Sequence, residues 1–241
     1  MILLDPAARP IIAHRGASGE YPENTLLAFA KAIEQGADAL ELDVRVTADG
    51  VPVVLHDAAL DRTTDRSGLV RRLPLDQVRR ADAGRGQAVP TLAEVLEHFP
   101  ATPLIIEIKT PEAAAPVLSV LRAQGAGGRV LVGAFEHPSL APFERAAVAR
   151  AASRREVARF WLAARWSGGS SAVSWRAFTV PRRWGWLAVV DRRFVAAARR
   201  RGIPVHVWTV NDPSQARALR ELGVCGIITD DPGRMRSLRA P

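Results

Sequence analysis

Three acidic side chains sit inside two apolar runs where acids are expensive. In "ALELDVRV" (39–46) Glu41 and Asp43 alternate with Leu40, Leu42 and Val44, and in "PLIIEIK" (103–109) Glu107 alternates with Ile106 and Ile108. Successive side chains of an extended chain point to opposite faces, so each run has one apolar face and one that carries carboxylates. Such groups need a cation beside them when buried. Arg45 and Lys109, on the same faces, would neutralise two of them in an ion-pair network. Alternatively the three carboxylates, with no thiol and no histidine-rich spacing nearby, form a hard-cation site for Mg²⁺ or Ca²⁺.

Two further runs stop at a histidine. "PIIAH" ends at His14 and "VPVVLH" at His56. Either alone would read as structural. Two at matching strand ends, flanking a metal site, suit an acid and a base acting on opposite sides of a reacting centre. Arg15 adds a guanidinium whose planar fork matches a phosphate. Metal, arginine and paired imidazoles fit phosphoryl chemistry better than acyl chemistry.

The elements that must position these groups repeat as strand then helix. Ile11 to His14 and residues 39–46, 51–56, 103–109, 129–135 and 203–210 read as strands, with "AVARAA" and "CGIITD" as shorter ones. Between them, Leu26, Phe29, Ala30 and Ile33 mark a helix face after a cap at Asn24, "TLAE" at Thr91 is a capping box, Ser153 caps a helix running to Ala164, and Asp212 with Pro213 opens another before Gly223. Repeated units of this size over 241 residues, 48% of them hydrophobic, predict an α/β fold: a single (β/α)8 TIM barrel domain spanning 1–241. A short insertion, 57–90, follows the third strand. About nine strand-like segments in all, the eight named here among them, are one more than the ring holds, and 160–190 is too broken by glycine, serine and proline to assign. In such a barrel the carboxylates and both histidines would gather at the carboxyl end of the strands.

The formal net charge is +8, but lysine occurs only at positions 31 and 109, and the arginines are scattered along helices and not gathered in a tail. Nucleic acid is therefore not the expected partner. One cysteine, Cys225, excludes an internal disulfide framework. No apolar run approaches the ~20 residues of a membrane span, and the start, "MILLDPAARPIIAHRG", lacks the basic and apolar regions of a secretion signal. A soluble cytoplasmic protein is expected. Five tryptophans between 161 and 186, interleaved with arginines, are either outer-layer packing or a weak peripheral membrane surface.

In order along the chain, "IIAHRG", "PENT", "ELDV", "VVLHD", "EIK", "VWTVND" and "GIITD" resemble the motifs of the glycerophosphodiester phosphodiesterase family. The resemblance runs from Ile11 to about Asp231 and implies a hydrolase releasing glycerol 3-phosphate and an alcohol from a small-molecule diester. It implies His14 and His56 as catalytic residues, Glu41, Asp43 and Glu107 as ligands of one divalent cation, and Arg15 and Lys109 as phosphate contacts. It also places Phe135 and Trp208 on the substrate cleft, with Glu23 and Asn24 shaping the mouth. Where the family commonly shows serine this chain has Ala134, and 139–190 matches poorly. Two other readings stand beside the hydrolase: a lysophospholipase D acting on lysophospholipids, and a non-catalytic phosphodiester-binding protein on the same scaffold.

Overall fold

The computed structural model describes residues 1–166 and 173–239. Its strands are β1 (Ile11–His14), β2 (Ala39–Val46), β3 (Pro52–Val54), β4 (Leu104–Ile108), β5 (Val130–Gly133), β6 (Ala149–Arg150), β7 (Phe178–Pro181), β8 (Arg183–Trp184), β9 (Leu187–Ala188), β10 (Val205–Trp208) and β11 (Gly226–Thr229). The helices are α1 (Leu26–Glu34), α2 (Leu75–Val78), α3 (Leu92–His98), α4 (Pro111–Ala123), α5 (Arg154–Ala163), α6 (Arg192–Arg200) and α7 (Pro213–Leu222). Eight strands pair in parallel in the order β6, β5, β4, β2, β1, β11, β10, β7. A parallel bridge between Ala151 and Ala177 joins the two ends, where the Ala152 N–H donates to the Ala177 carbonyl at 3.0 Å. The chain is a TIM barrel.

The alternation in the two acidic strands is realised as read. Leu40, Leu42, Val44, Leu104, Ile106 and Ile108 face outward into one apolar layer with Phe29 of α1, Leu92 of α3 and Val117 of α4. The other half of the ring packs around Phe160, Phe178 and Phe194, whose rings meet at 4.7–5.3 Å. Ile12, Ala39, Ile105, Leu131 and Ile228 fill the interior. A 3-10 turn at Ile2–Leu4 plugs the amino end: Leu3 is fully buried, and its carbonyl accepts the Nε2–H of the buried His206 at 2.8 Å. The site is thus carried on a solid floor.

Several sequence expectations change. The surplus strand is β3, which pairs antiparallel with β2 outside the ring. β2 is eight residues long and overshoots the barrel; the chain turns at Thr47 to Val51 and comes back, so that the Leu55 N–H reaches the Asp43 carbonyl at 3.0 Å. His56 therefore arrives at the mouth on a returning hairpin and not at the end of a barrel strand. The cap of α1 is Thr25, whose Oγ accepts the Ala28 N–H at 3.1 Å. Asn24 instead sits in the left-handed region at φ 59°, which asparagine tolerates better than most residues. The capping boxes at Thr91 and Ser153, and the Asp212 cap of α7, are present. The ring strand missing from the reading of 160–190 is β7, followed there by the separate β8–β9 pair; residues 167–172 of that stretch lie outside the described residues.

Candidate active site

β2 and β4 lie side by side with Asp43 opposite Glu107 in register, and β1 places His14 opposite Glu41. The inward faces of adjacent strands thus bring three carboxylates together: an oxygen from each of Glu41, Asp43 and Glu107 lies within 4.8 Å of the others. Lys109, just past β4, bridges Asp43 Oδ1 at 2.7 Å and Glu107 Oε1 at 2.5 Å. Arg15 Nε pairs with Asp43 Oδ2 at 3.0 Å, and Asn24 donates to the same oxygen at 3.0 Å. Arg45 does not join this network; its Nε–H donates to the His56 carbonyl at 2.8 Å.

The three acids are therefore unequal. Burial would raise Asp43, but the Lys109 and Arg15 charges hold its carboxyl below the usual range. Glu41 is buried and forms no ion pair among the described residues; its Oε2 accepts the Arg15 backbone N–H at 3.1 Å. Burial, with the Asp43 charge next to it, pushes Glu41 up to about 8. A buried carboxylate in an all-oxygen cluster with no paired cation is what a divalent ion would relieve, so the residues fit a hard-metal site.

Both histidines are steered by a carboxylate. His14 Nδ1–H donates to Asp230 Oδ1 at 2.6 Å, and Asp230 is itself fixed by Ser18 Oγ at 3.1 Å and Asn211 Nδ2 at 2.6 Å. His56 Nδ1–H donates to Asp57 Oδ1 at 2.6 Å, while Arg62 grips Asp57 and Glu23. Hydrogen bonds from Arg62 and, less, from His56 drive the Asp57 carboxyl well below its ordinary value, so it stays an acceptor. Each pair fixes the Nδ1–H tautomer and leaves Nε2 toward the cleft, as an acidic partner does for a working imidazole. Burial lowers His14, yet the Asp230 hydrogen bond and the Glu41 charge raise it above the usual histidine value overall.

His14, Arg15, Glu41, His56, Glu107, Lys109, Phe135 and Trp208 all line one cleft, with Asp43 buried beneath it. Every residue singled out in the sequence for chemistry thus meets at one mouth. Phe135 and Trp208 stand edge to face at 5.9 Å between centroids, and Glu23 pairs with Arg15 at 3.0 Å. Sequence reasoning missed Asp57 and Asp230 as partners, although both lie in quoted motifs, and missed Arg154 and Trp184 on the cleft wall. The tryptophans divide: Trp161, Trp175 and Trp184 pack against the α5–α6 layer, whereas Trp166 and Trp186 are 79% and 85% exposed. Among the described residues no helix is long and apolar enough to cross a membrane.

A family model described as the glycerophosphoryl diester phosphodiesterase family matches residues 14–121 and 135–234, so it runs through the stretch expected to match poorly. The chain is 36% identical over 239 residues to the probable glycerophosphodiester phosphodiesterase 2 of Mycobacterium tuberculosis, covering 95% of this chain and 90% of that protein. It is 31% identical to a glycerophosphodiester phosphodiesterase of Caldanaerobacter subterraneus, covering 95% and 96%. Among solved structures, it resembles an Oleispira antarctica phosphodiesterase in complex with the product sn-glycerol-3-phosphate, with TM-score 0.82, 26% identity and coverage of 97% and 98%. A glycerophosphodiester phosphodiesterase of Thermotoga maritima superposes with TM-score 0.77 at 29% identity, covering 96% and 98%.

Proposed function

The chain belongs to the glycerophosphoryl diester phosphodiesterase family, and on that premise we propose that it hydrolyses glycerophosphodiesters to glycerol 3-phosphate and an alcohol, using one divalent cation and two histidines. The observation that carries the reading is the meeting, in one cleft, of the Glu41, Asp43 and Glu107 cluster with two imidazoles each held at Nδ1 by a carboxylate. The product bound in the Oleispira relative supports the substrate class.

Glu41, Asp43 and Glu107 would hold Mg²⁺ or Ca²⁺, oxygen-seeking ions that suit such ligands. Bound there, the ion supplies Lewis-acid stabilisation of charge on a phosphoryl oxygen. The chain's own groups do the rest. Arg15 and Lys109, which Asp43 holds between them, turn remaining N–H donors to the phosphate and fix it. One Nε2 takes the proton of the attacking hydroxyl, either that of water or that of the neighbouring glycerol carbon with water then opening the cyclic phosphate, and the other gives a proton to the departing alkoxide oxygen; each such step contributes ~10²–10⁴-fold. Phe135 and Trp208, edge to face on the cleft wall, cover the carbon skeleton. This activity belongs to one barrel domain over 1–241, acting in the cytoplasm on a small molecule without nucleic acid.

The test is to identify products. Purified protein with Mg²⁺ or Ca²⁺ is offered glycerophosphocholine, glycerophosphoglycerol and lysophosphatidylcholine. Release of glycerol 3-phosphate from the water-soluble diesters is expected. Choline phosphate as the product, or turnover of the lysolipid alone, would contradict the proposal.

A further inference from the structure

The cleft has a second wall that the phosphate chemistry leaves unused. In the ring, β6 and β7 stand opposite β1 and β2, so the segments leaving β6 and β7 face His14 and the carboxylates across the mouth. They bring Arg154, the first residue of α5, and Trp184, in β8, onto the cleft. The Arg154 guanidinium lies over the Trp184 ring at 4.8 Å from its centroid. Its backbone is fixed as well: Arg154 N–H donates to the Phe135 carbonyl at 3.2 Å, next to the Ser153–Glu156 capping box.

The charge of Arg154 is unanswered. Arg15 is paired with Glu23 and Asp43, Lys109 with Asp43 and Glu107, and the neighbouring buried Arg150 with Glu144 and Glu156. Arg154 forms no ion pair with any described residue, and its recorded side-chain partner is the aromatic face. It also stands at the amino end of the ten-residue α5, where the helix dipole adds positive potential.

We propose that Arg154, steadied on Trp184, determines specificity for the departing alcohol and favours one that carries an anionic group over one that carries a quaternary ammonium. The inference rests on the hydrolase reading above. A guanidinium fork binds phosphate or carboxylate through two parallel hydrogen bonds. A quaternary ammonium needs open aromatic faces. Of the cleft's aromatic rings, Trp184 is already covered by Arg154, Phe135 has Lys109 Nζ 6.0 Å from its centroid, and Trp208 is engaged edge to face with Phe135 at 5.9 Å. A substrate with its diester at Arg15 and Lys109 and a second anion across the mouth matches both walls; a choline head group meets like charge on one of them.

Three sn-glycero-3-phospho esters separate the outcomes: the glycerol ester, the same ester with a phosphate on the departing glycerol, and the choline ester. We expect kcat/KM for the phosphorylated ester to exceed that for its parent by ~10-fold, the scale of one charge-assisted hydrogen bond, with choline the poorest and the advantage shrinking as salt is added. In Arg154→Gln the phosphorylated-to-parent ratio should fall to about 1–2, and Arg154→Lys should restore part of it. The ratio does not depend on the fraction of folded enzyme, so a destabilised variant still reports. Equal kcat/KM for all three esters, a preference for choline, or an Arg154→Gln enzyme that keeps the ratio would overturn the inference while leaving the hydrolase reading intact. Failure to cleave any of the three with metal present would overturn both.

Discussion

Acid should destabilise this protein through one buried imidazole. His206 is completely buried beneath the cleft; its Nε2–H serves the Leu3 carbonyl at 2.8 Å, and its Nδ1 has no partner and faces the Gly226 backbone. A second proton would be buried without an acceptor, so burial lowers the folded-state value from 6.5 to about 4. The unfolded chain therefore binds the proton first, and the stability His206 confers by staying neutral is complete above 6.5 and is lost as pH falls toward 4. At about 1.4 kcal/mol per unit, the loss between pH 7 and pH 5 is ~2 kcal/mol and the full loss ~3 kcal/mol. Urea unfolding at both pH values, on the wild type and on His206→Asn, isolates the effect as a difference in slopes. The variant should lose ~2 kcal/mol less than the wild type over that interval. Parallel pH dependences in the two proteins would refute the reasoning.

Other expectations concern the site and its supports. Asp230→Asn and Asp57→Asn, which remove the carboxylate that orients each histidine, should each lower kcat by ~10–100-fold without loss of bound metal, checked by rates beside metal analysis. His14→Ala and His56→Ala should each cost at least ~10²-fold in kcat with metal retained; loss of the metal would make the histidine a ligand. Gly16, at φ +83°, would place a Cβ 2.6–2.8 Å from Ala28, so Gly16→Ala should cost at least ~1–3 kcal/mol in denaturant midpoint stability, and an unchanged midpoint would deny the close approach.

Much of this molecule was readable where local chemistry and periodicity agree. The acid-bearing face of "ALELDVRV" could only point into the barrel, because its other face is wholly apolar, and the capping box at Thr91 and the cap at Ser153 are set by residues close by in the sequence. What stayed hidden depends on distant pairings. His14 finds Asp230 across 216 positions, and no pattern near either announces it. His56 reaches the mouth because β2 overshoots the ring and a hairpin returns, a consequence of strand length and not of strand ends. β7 is four residues within a stretch broken by glycine and serine, too short for alternation to show. Arg154 reads as one more arginine on a helix until the ring order sets it opposite the carboxylates.

The most direct measurement is of metal and turnover together. Purified protein is stripped with chelator and desalted, its metal content and glycerol 3-phosphate release are recorded, and Mg²⁺ or Ca²⁺ is then titrated back into wild type and Glu41→Gln. If Glu41, Asp43 and Glu107 form the metal site, the stripped wild type is inactive and recovers as about one ion binds per chain, while Glu41→Gln, whose amide cannot give up a proton to become an anionic ligand, neither binds that ion tightly nor recovers. Full activity in the metal-free wild type, or recovery of Glu41→Gln at the same metal concentration, would contradict that site.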